Sequence, residues 1–172
     1  SIVVPESIEA DGVPRVPRTL ARTLARYQNG RSASFQGWAA DRREILILTR
    51  FADTNQVHRV AFPGGARTQL TFLDDRVLGA SPRPGHDSFV YEADEGGAEN
   101  FQLFLQDGRT GNATRISDGR SRHILTGWSN TGNFLGWSSN ARNGKDMDLY
   151  VMSATAPTSP RRIKEVSGNW TI

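Results

Sequence analysis

The side chains in this chain that could do chemistry include three histidines: His58, His86 and His123. They are 28 and 37 residues apart. Zinc sites usually take at least one pair of ligands from a short spacing, and these spacings are long. The pattern therefore favours ordinary surface or packing histidines over a shared metal ion.

Two carboxylates, Asp146 and Asp148, flank Met147, and a strand would place both on one face. Such a pair could contribute to a calcium site. Calcium takes six to eight oxygen ligands, however, and only Asn140 and Asn143 lie nearby in the sequence to help. Turn formation and capping of the following strand are the favoured roles. No metal ion or cofactor is predicted for the chain.

A second acidic group, formed by Asp94, Glu95 and Glu99, lies in a glycine-rich stretch. We expect it to be solvated rather than catalytic, because a general acid or base needs a tuned environment. A serine nucleophile of the hydrolase type needs Gly-x-Ser-x-Gly, and that pentapeptide is absent from the sequence. The nearest match, around Ser129, lacks the last glycine and falls in a predicted turn. No catalytic residue is predicted.

Three tryptophans, Trp38, Trp128 and Trp137, fall at the ends of or within predicted strands. Aromatic rings at such positions usually fill the core between sheets. We expect them to pack between repeated units rather than to form a ligand platform.

Composition limits the classes of protein that this chain can belong to. Its 172 residues fit one domain, and 37% hydrophobic with 23% charged residues is typical of a soluble protein. The absence of cysteine excludes disulfides and thiol chemistry and leaves the compartment open. No run of about 20 apolar residues is present, and no signal peptide is recognised at the start. We expect a soluble protein and leave its compartment, cytoplasm or periplasm, undetermined.

The charge of the chain is slightly positive, at +3 with a pI near 9.8. A helix is predicted from Pro17 to Gln28, with Asn29 and Gly30 as its stop. Its arginines recur every four residues on one face, opposite an apolar face. The pattern favours a solvated face of an amphipathic helix, so neither a nucleic-acid nor a membrane partner is predicted. The two faces are Arg18, Arg22 and Arg26 on one side and Leu20, Leu24 and Tyr27 on the other.

An internal repeat organises the rest of the chain. Residues 128–152 read as turn, strand, loop and strand, and two earlier stretches follow the same order. Gln56, Gln102 and Asp148 are separated by two steps of 46 residues. A period near 45 with about four strands per period is typical of β-propeller blades.

The predicted fold is therefore all-β: a partial β-propeller of about three four-stranded blades plus the start of another, preceded by a short N-terminal helix. The lead-in and helix occupy 1–30 and the incomplete propeller 31–172. Blades are expected at about 35–73, 76–118 and 122–167, with the next one starting at 168–172. Because propellers typically have 4–8 blades, we expect either a fragment or self-association through open blade edges.

Several segments carry a resemblance to a known family. They include the Arg50-Phe51 pair, the ProGlyGly to GlnLeuThr stretch at 63–72, and residues 27–38, 96–103, 128–132 and 142–146. Together they resemble the propeller of bacterial peptidases of the prolyl oligopeptidase family. The turn-plus-strand pattern is also similar to the propeller of the Tol-system periplasmic protein.

The first resemblance implies a function for the parent protein. It implies a C-terminal α/β-hydrolase domain that cleaves short peptides, with the propeller gating access to it. This chain would then be a fragment of that propeller, without catalysis of its own. The alternative is a non-enzymatic Tol-type propeller that binds a partner protein.

Overall fold

The computed structural model describes residues 1–28, 30–39 and 43–172, and these form two compact units, Ser1–Ser32 and Ala33–Ile172. In the first unit, helix α1 (Arg18–Gln28) begins directly after Pro17, where a missing N–H costs nothing. The predicted helix stop at Asn29 lies outside the described residues. No helix in the described part of the chain combines the length and apolarity that a membrane crossing requires.

The second unit contains three four-stranded antiparallel sheets in the described residues, and each sheet follows chain order. We call them blades 1, 2 and 3. Blade 1 comprises β1 (Ala33–Trp38), β2 (Ile45–Thr49), β3 (Gln56–Val60) and β4 (Arg67–Gln69). Blade 2 comprises β5 (Val77–Pro82), β6 (Ser88–Ala93), β7 (Gln102–Asp107) and β8 (Ala113–Arg115). Blade 3 comprises β9 (His123–Trp128), β10 (Phe134–Ser139), β11 (Asp148–Ser153) and β12 (Arg161–Lys164).

The blades pack in order, with the first strand of each in contact with that of the next: β1 with β5, and β5 with β9. Repeated four-stranded meanders stacked in this way are a β-propeller, here a partial one. The predicted fold class is confirmed.

The core lies between the blades. One buried cluster joins blades 1 and 2, and a second joins blades 2 and 3, because each sheet buries apolar side chains against its neighbour. The first contains Leu46, Leu48, Val57, Val77, Ala80, Phe89, Tyr91 and Ala93. The second contains Val90, Leu103, Ile116, Leu135, Trp137 and Met152.

The first strand of each blade carries a bulge followed by a glycine. The extra residue is Gln36 in β1, Leu78 in β5 and Thr126 in β9, as the strand registers show. At Gly37 a side chain would be excluded, because a Cβ there would lie 2.8 Å from Cδ of Pro82. The bulges therefore accompany close approach between first strands of neighbouring blades.

The 46-residue period coincides with equivalent positions in the fold. Gln56, Gln102 and Asp148 are the first residues of β3, β7 and β11, and all three are buried. Each of these residues contacts the segment that follows the fourth strand of its own blade. We call this set of contacts the blade latch.

In blades 1 and 2 the latch is the same. Gln56 Oε1 accepts hydrogen bonds from Thr71 Oγ1 at 2.8 Å and the Leu73 backbone N–H at 3.2 Å. Gln102 Oε1 accepts the corresponding bonds from Ser117 Oγ at 2.7 Å and from Gly119 N–H at 2.8 Å. Each glutamine thereby fixes the chain that leaves its blade.

Candidate functional site

The histidines occupy three separate places. His58 lies in β3 and is fully buried, with Nδ1 3.0 Å from the Gln56 carbonyl oxygen. His123 begins β9 and is also buried, whereas His86 is exposed in a turn. Burial lowers the pKa of His58 and of His123 below the usual histidine value. The described residues contain no group of three or more histidine, aspartate or glutamate side chains that could hold a metal ion.

Asp146 and Asp148 do not share a strand face as expected, because β11 begins at Asp148 and Asp146 lies in the preceding turn. Arg142 lies between them. Its Nε donates to Asp148 Oδ2 at 2.7 Å, and its Nη2 donates to Asp148 Oδ1 at 3.0 Å and Asp146 Oδ2 at 3.4 Å. The Arg142 guanidinium holds the pKa of Asp148 below its usual range. An arginine thus satisfies the oxygens that a calcium ion would need.

This ion pair is the blade latch of blade 3. Asp148 Oδ1 also accepts the backbone N–H of Val166 at 3.0 Å, and Arg142 donates to the Val166 carbonyl at 2.9 Å. A glutamine side chain contains both an acceptor and a donor. In blade 3 the acceptor is Asp148 and the donor is Arg142. The chain that leaves blade 3 is therefore held in place as it is in blades 1 and 2.

The prediction that the acidic loop is solvated is wrong for Asp94, which is buried at 7% exposure. Its Oδ1 accepts the N–H of Glu95 at 2.9 Å and its Oδ2 that of Glu99 at 3.2 Å. Glu99 has a φ of 58°, a left-handed conformation that these contacts support. Glu95 pairs with Arg115 at 3.8 Å. The loop is ordered by Asp94, and its carboxylates do not form an acid–base pair with each other.

Ser129 lies in the turn after β9, at the opposite end of the strand from His123. Five strand residues span about 17 Å, so the two side chains cannot form a nucleophile and base. The Ser129 hydroxyl instead accepts the N–H of Phe134 at 3.1 Å. Ser129 therefore stabilises the turn between β9 and β10.

Two of the three tryptophans pack between blades as expected, and Trp38 does not. Trp137 is buried in the second cluster. Trp128 donates from Nε1 to the Ser81 carbonyl at 3.2 Å, and the guanidinium of Arg83 lies over its ring at 5.5 Å. Trp38 is 65% exposed. The residues that cover Trp128 come from the preceding blade, and no blade precedes blade 1 in the described part of the chain.

Two side chains that the sequence patterns did not single out connect neighbouring blades, and each of them accepts from the first strand of the following blade. Gln36 Oε1 accepts the N–H of Ala80 at 3.0 Å, and Glu92 Oε1 accepts the N–H of Leu125 at 2.7 Å. We call these the inter-blade clamps. Glu92 is 9% exposed, and its burial raises the pKa of its carboxyl. The sequence offers only a weak signal for Glu92: it is one acidic residue inside the apolar run that forms β6.

A cleft of about 280 Å³ lies between blades 2 and 3, lined by Asp118, His123, Trp137, Tyr150 and other residues. His123 Nε2 lies 3.0 Å from Asp118 Oδ1, and the same carboxylate accepts hydrogen bonds from Ser121 N–H at 2.9 Å and Ser121 Oγ at 2.6 Å. His123 Nδ1 is buried and has no partner among the described residues. The Asp118–His123 pair joins the segment that leaves blade 2 to the first strand of blade 3.

The described residues thus define a class of protein: a partial β-propeller whose polar groups stabilise turns and blade junctions. No family model matches the sequence, and no curated protein matches it.

Solved structures do match the fold. One is a putative TolB from Agrobacterium tumefaciens, with a TM-score of 0.59 and 21% identity over 74% of this chain and 45% of that one. Another is TolB from Acinetobacter baumannii, with a TM-score of 0.63 and 16% identity over 80% of this chain and 33% of that one. A third is a puromycin hydrolase S511A mutant complexed with PGG, with a TM-score of 0.62 and 16% identity over 83% of this chain and 22% of that one.

At these identities the likeness shows the fold. The chain spans less than half the length of each of these structures. The structural neighbours of the chain thus include TolB proteins and a puromycin hydrolase.

Proposed function

We propose that this chain is part of the substrate-access propeller of a prolyl-oligopeptidase-like serine peptidase and is not catalytic by itself. The observation that carries the proposal is the match of the three-blade arc to puromycin hydrolase, of which it spans 22%. The resemblance of the segments at 27–38 and 63–72 to that peptidase family points the same way. The remaining length of such a parent would hold further blades and a C-terminal α/β-hydrolase domain.

The blade junctions suit a gating role. The first strands of the blades border the centre of a propeller, and the inter-blade clamps of Gln36 in β1 and Glu92 in β6 each hold the first strand of the following blade. A wall held in this way admits short peptides and excludes folded proteins. The partners on this proposal are the hydrolase domain and short peptide substrates.

The test has two arms. The 172-residue chain is incubated with chromogenic peptide esters and amides, and no turnover is expected; turnover abolished by a serine-directed inhibitor would contradict the proposal. The second arm is the reading frame beyond the codon for Ile172. A Gly-x-Ser-x-Gly motif followed by an aspartate and a histidine supports the peptidase.

A second candidate is a non-enzymatic propeller that binds a partner protein. It is favoured by the match to the putative TolB, of which this chain spans 45% at 21% identity. A reading frame that stops soon after the ring closes, without a nucleophile motif, supports this candidate and opposes the first.

Self-association is a further proposed partnership of the isolated chain. Trp38 in blade 1 and Phe134 in blade 3 are 65% and 53% exposed, which leaves apolar surface on both outer blades. Light scattering is expected to show a dimer or a larger species. A stable monomer at high concentration argues against self-association and leaves the gating proposal untouched.

A further inference from the structure

The second half of the first unit, residues 15–32, concentrates positive charge. Residues 15–32 contain five arginines and no acidic residue, in a chain with 21 basic and 18 acidic residues in total. The remainder of the chain therefore has two more acidic than basic residues. The basic character of this protein belongs to the segment around α1.

Helix α1 also presents an apolar face that is not buried. Leu20 is 49% exposed, Leu24 is 43% exposed and Tyr27 is 81% exposed, and no residue of the helix is buried. Residues advance by about 100° each around a helix, so these three lie roughly opposite the arginines at 18, 22 and 26. The spacing alone favours a solvated helix, but two half-exposed leucines on one face are a surface that water disfavours.

The segment before α1 adds to that surface. It exposes aliphatic side chains and lines an apolar cavity of about 630 Å³ within the first unit. A backbone hydrogen bond of 3.0 Å from Ile2 to Val16 brings its ends together. The exposed aliphatic residues are Ile2, Val3, Val4, Ile8 and Val13.

We propose that the first unit binds the surface of an anionic lipid bilayer, with α1 lying in the interface. Cationic residues on one face and leucine with an aromatic residue on the other are the features of an interfacial helix. Arginines near such a surface are attracted by its negative potential. The helix would not cross the bilayer.

The charge and the extent of the apolar surface favour a bilayer over an acidic protein. A protein groove that receives one helix face would leave the aliphatic residues of the lead-in exposed. A bilayer offers negative charge to the arginines of residues 15–32 and an apolar layer to both segments, without requiring a matching shape. The lead-in, which carries Glu6, Glu9 and Asp11, contributes through its aliphatic side chains alone. This inference is independent of the proposed peptidase or Tol-type role.

The experiment is cosedimentation of the 172-residue chain with vesicles of phosphatidylcholine, with and without phosphatidylglycerol. Binding is expected only with phosphatidylglycerol and should weaken at high salt. Hydrogen exchange supplies a second readout: the amides of α1 should become protected when those vesicles are added.

Charge is tested with two variants of equal net charge. Arg22→Gln/Arg26→Gln should weaken binding by about tenfold or more, given the attraction of each arginine to an anionic surface. Arg109→Gln/Arg161→Gln, at exposed positions of blades 2 and 3, should change it by less than about twofold. Equal losses would overturn the proposal, because they would indicate attraction by net charge alone.

The apolar face is tested in the same way. Leu20→Gln/Leu24→Gln keeps helix propensity but removes the leucines, and it should weaken binding by about tenfold. Thr19→Gln/Thr23→Gln on the same helix is the matched control and should bind as the parent does. Undiminished binding of the leucine variant, or equal binding to vesicles without phosphatidylglycerol, would overturn the proposal.

Discussion

Gln102 in β7 and Ser117 after β8 are joined by a 2.7 Å hydrogen bond from the serine hydroxyl to Oε1 of the glutamine. The same bond joins Gln56 to Thr71, 46 residues earlier. The period of the sequence is therefore a period of contacts as well as of strands. In each blade, the latch at the start of the third strand fixes the segment through which the chain passes to the next blade.

Replacement of Gln102 by leucine is expected to destabilise the protein by about 2–4 kcal/mol. The variant leaves Ser117 Oγ, Gly119 N–H and the Ser121 carbonyl without their partner in a buried place. Chemical denaturation of the purified chain measures the change. Asn112→Leu, at an exposed position just before β8, is the control. A loss of stability as large as that of Gln102→Leu would mean that the latch contributes no more than an exposed polar side chain.

The latch of blade 3 should accept the glutamine of the other two blades. Asp148→Leu is expected to be strongly destabilising, because it leaves the Val166 N–H without an acceptor and removes the carboxylate to which Arg142 Nε donates. Arg142→Leu/Asp148→Gln should be milder, since glutamine restores an acceptor for Val166. Thermal unfolding compares the two, and equal losses would contradict the equivalence of the latches.

Glu92→Gln is expected to stabilise the protein at neutral and alkaline pH. Burial raises the pKa of Glu92, so its contribution is fully present below the unfolded value, near 4.5, and is lost as the pH rises through the folded pKa. Glutamine keeps an acceptor for the Leu125 N–H without a charge. Melting temperatures at pH 5 and pH 8 should therefore differ less in the variant, with unfolding followed by circular dichroism. An unchanged pH dependence would show that Glu92 is not the group responsible.

Gly132→Ala should destabilise the junction of blades 2 and 3. Gly132 has a φ of 68°, and a Cβ there would lie 2.4 Å from the Pro84 carbonyl oxygen. We expect a loss of about 2–4 kcal/mol, the sum of left-handed backbone strain and displacement of the chain at Pro84.

The matched control for that change is Gly144→Ala. Gly144 has a similar φ of 73°, but nothing lies within 4 Å of a Cβ placed there. Only the backbone strain applies, so the loss should be about 1–2 kcal/mol. Equal losses of unfolding free energy for the two variants in urea denaturation would mean that the Pro84 carbonyl moves away from the added methyl group without an energetic cost.

The amino-acid sequence alone determined the repeat and its architecture. Steps of 46 residues, apolar runs of strand length and turn residues between them are local properties, so they predict blades without knowledge of the contacts. The absence of Gly-x-Ser-x-Gly is equally local. The period identified Gln56, Gln102 and Asp148 as equivalent positions, although the sequence predicted that Asp146 lies on the same strand as Asp148 and β11 begins at Asp148.

Only the tertiary structure decided which polar and aromatic residues face which neighbours. Asp94 is buried, Glu92 reaches the N–H of Leu125, and Trp38 is exposed whereas Trp128 is covered by Arg83. The residues that surround these side chains come from blades or loops distant in the sequence. The pattern of apolar and polar residues along one strand therefore does not predict these contacts. The environment of a side chain at a blade junction is a property of two repeats together, which neither repeat encodes by itself.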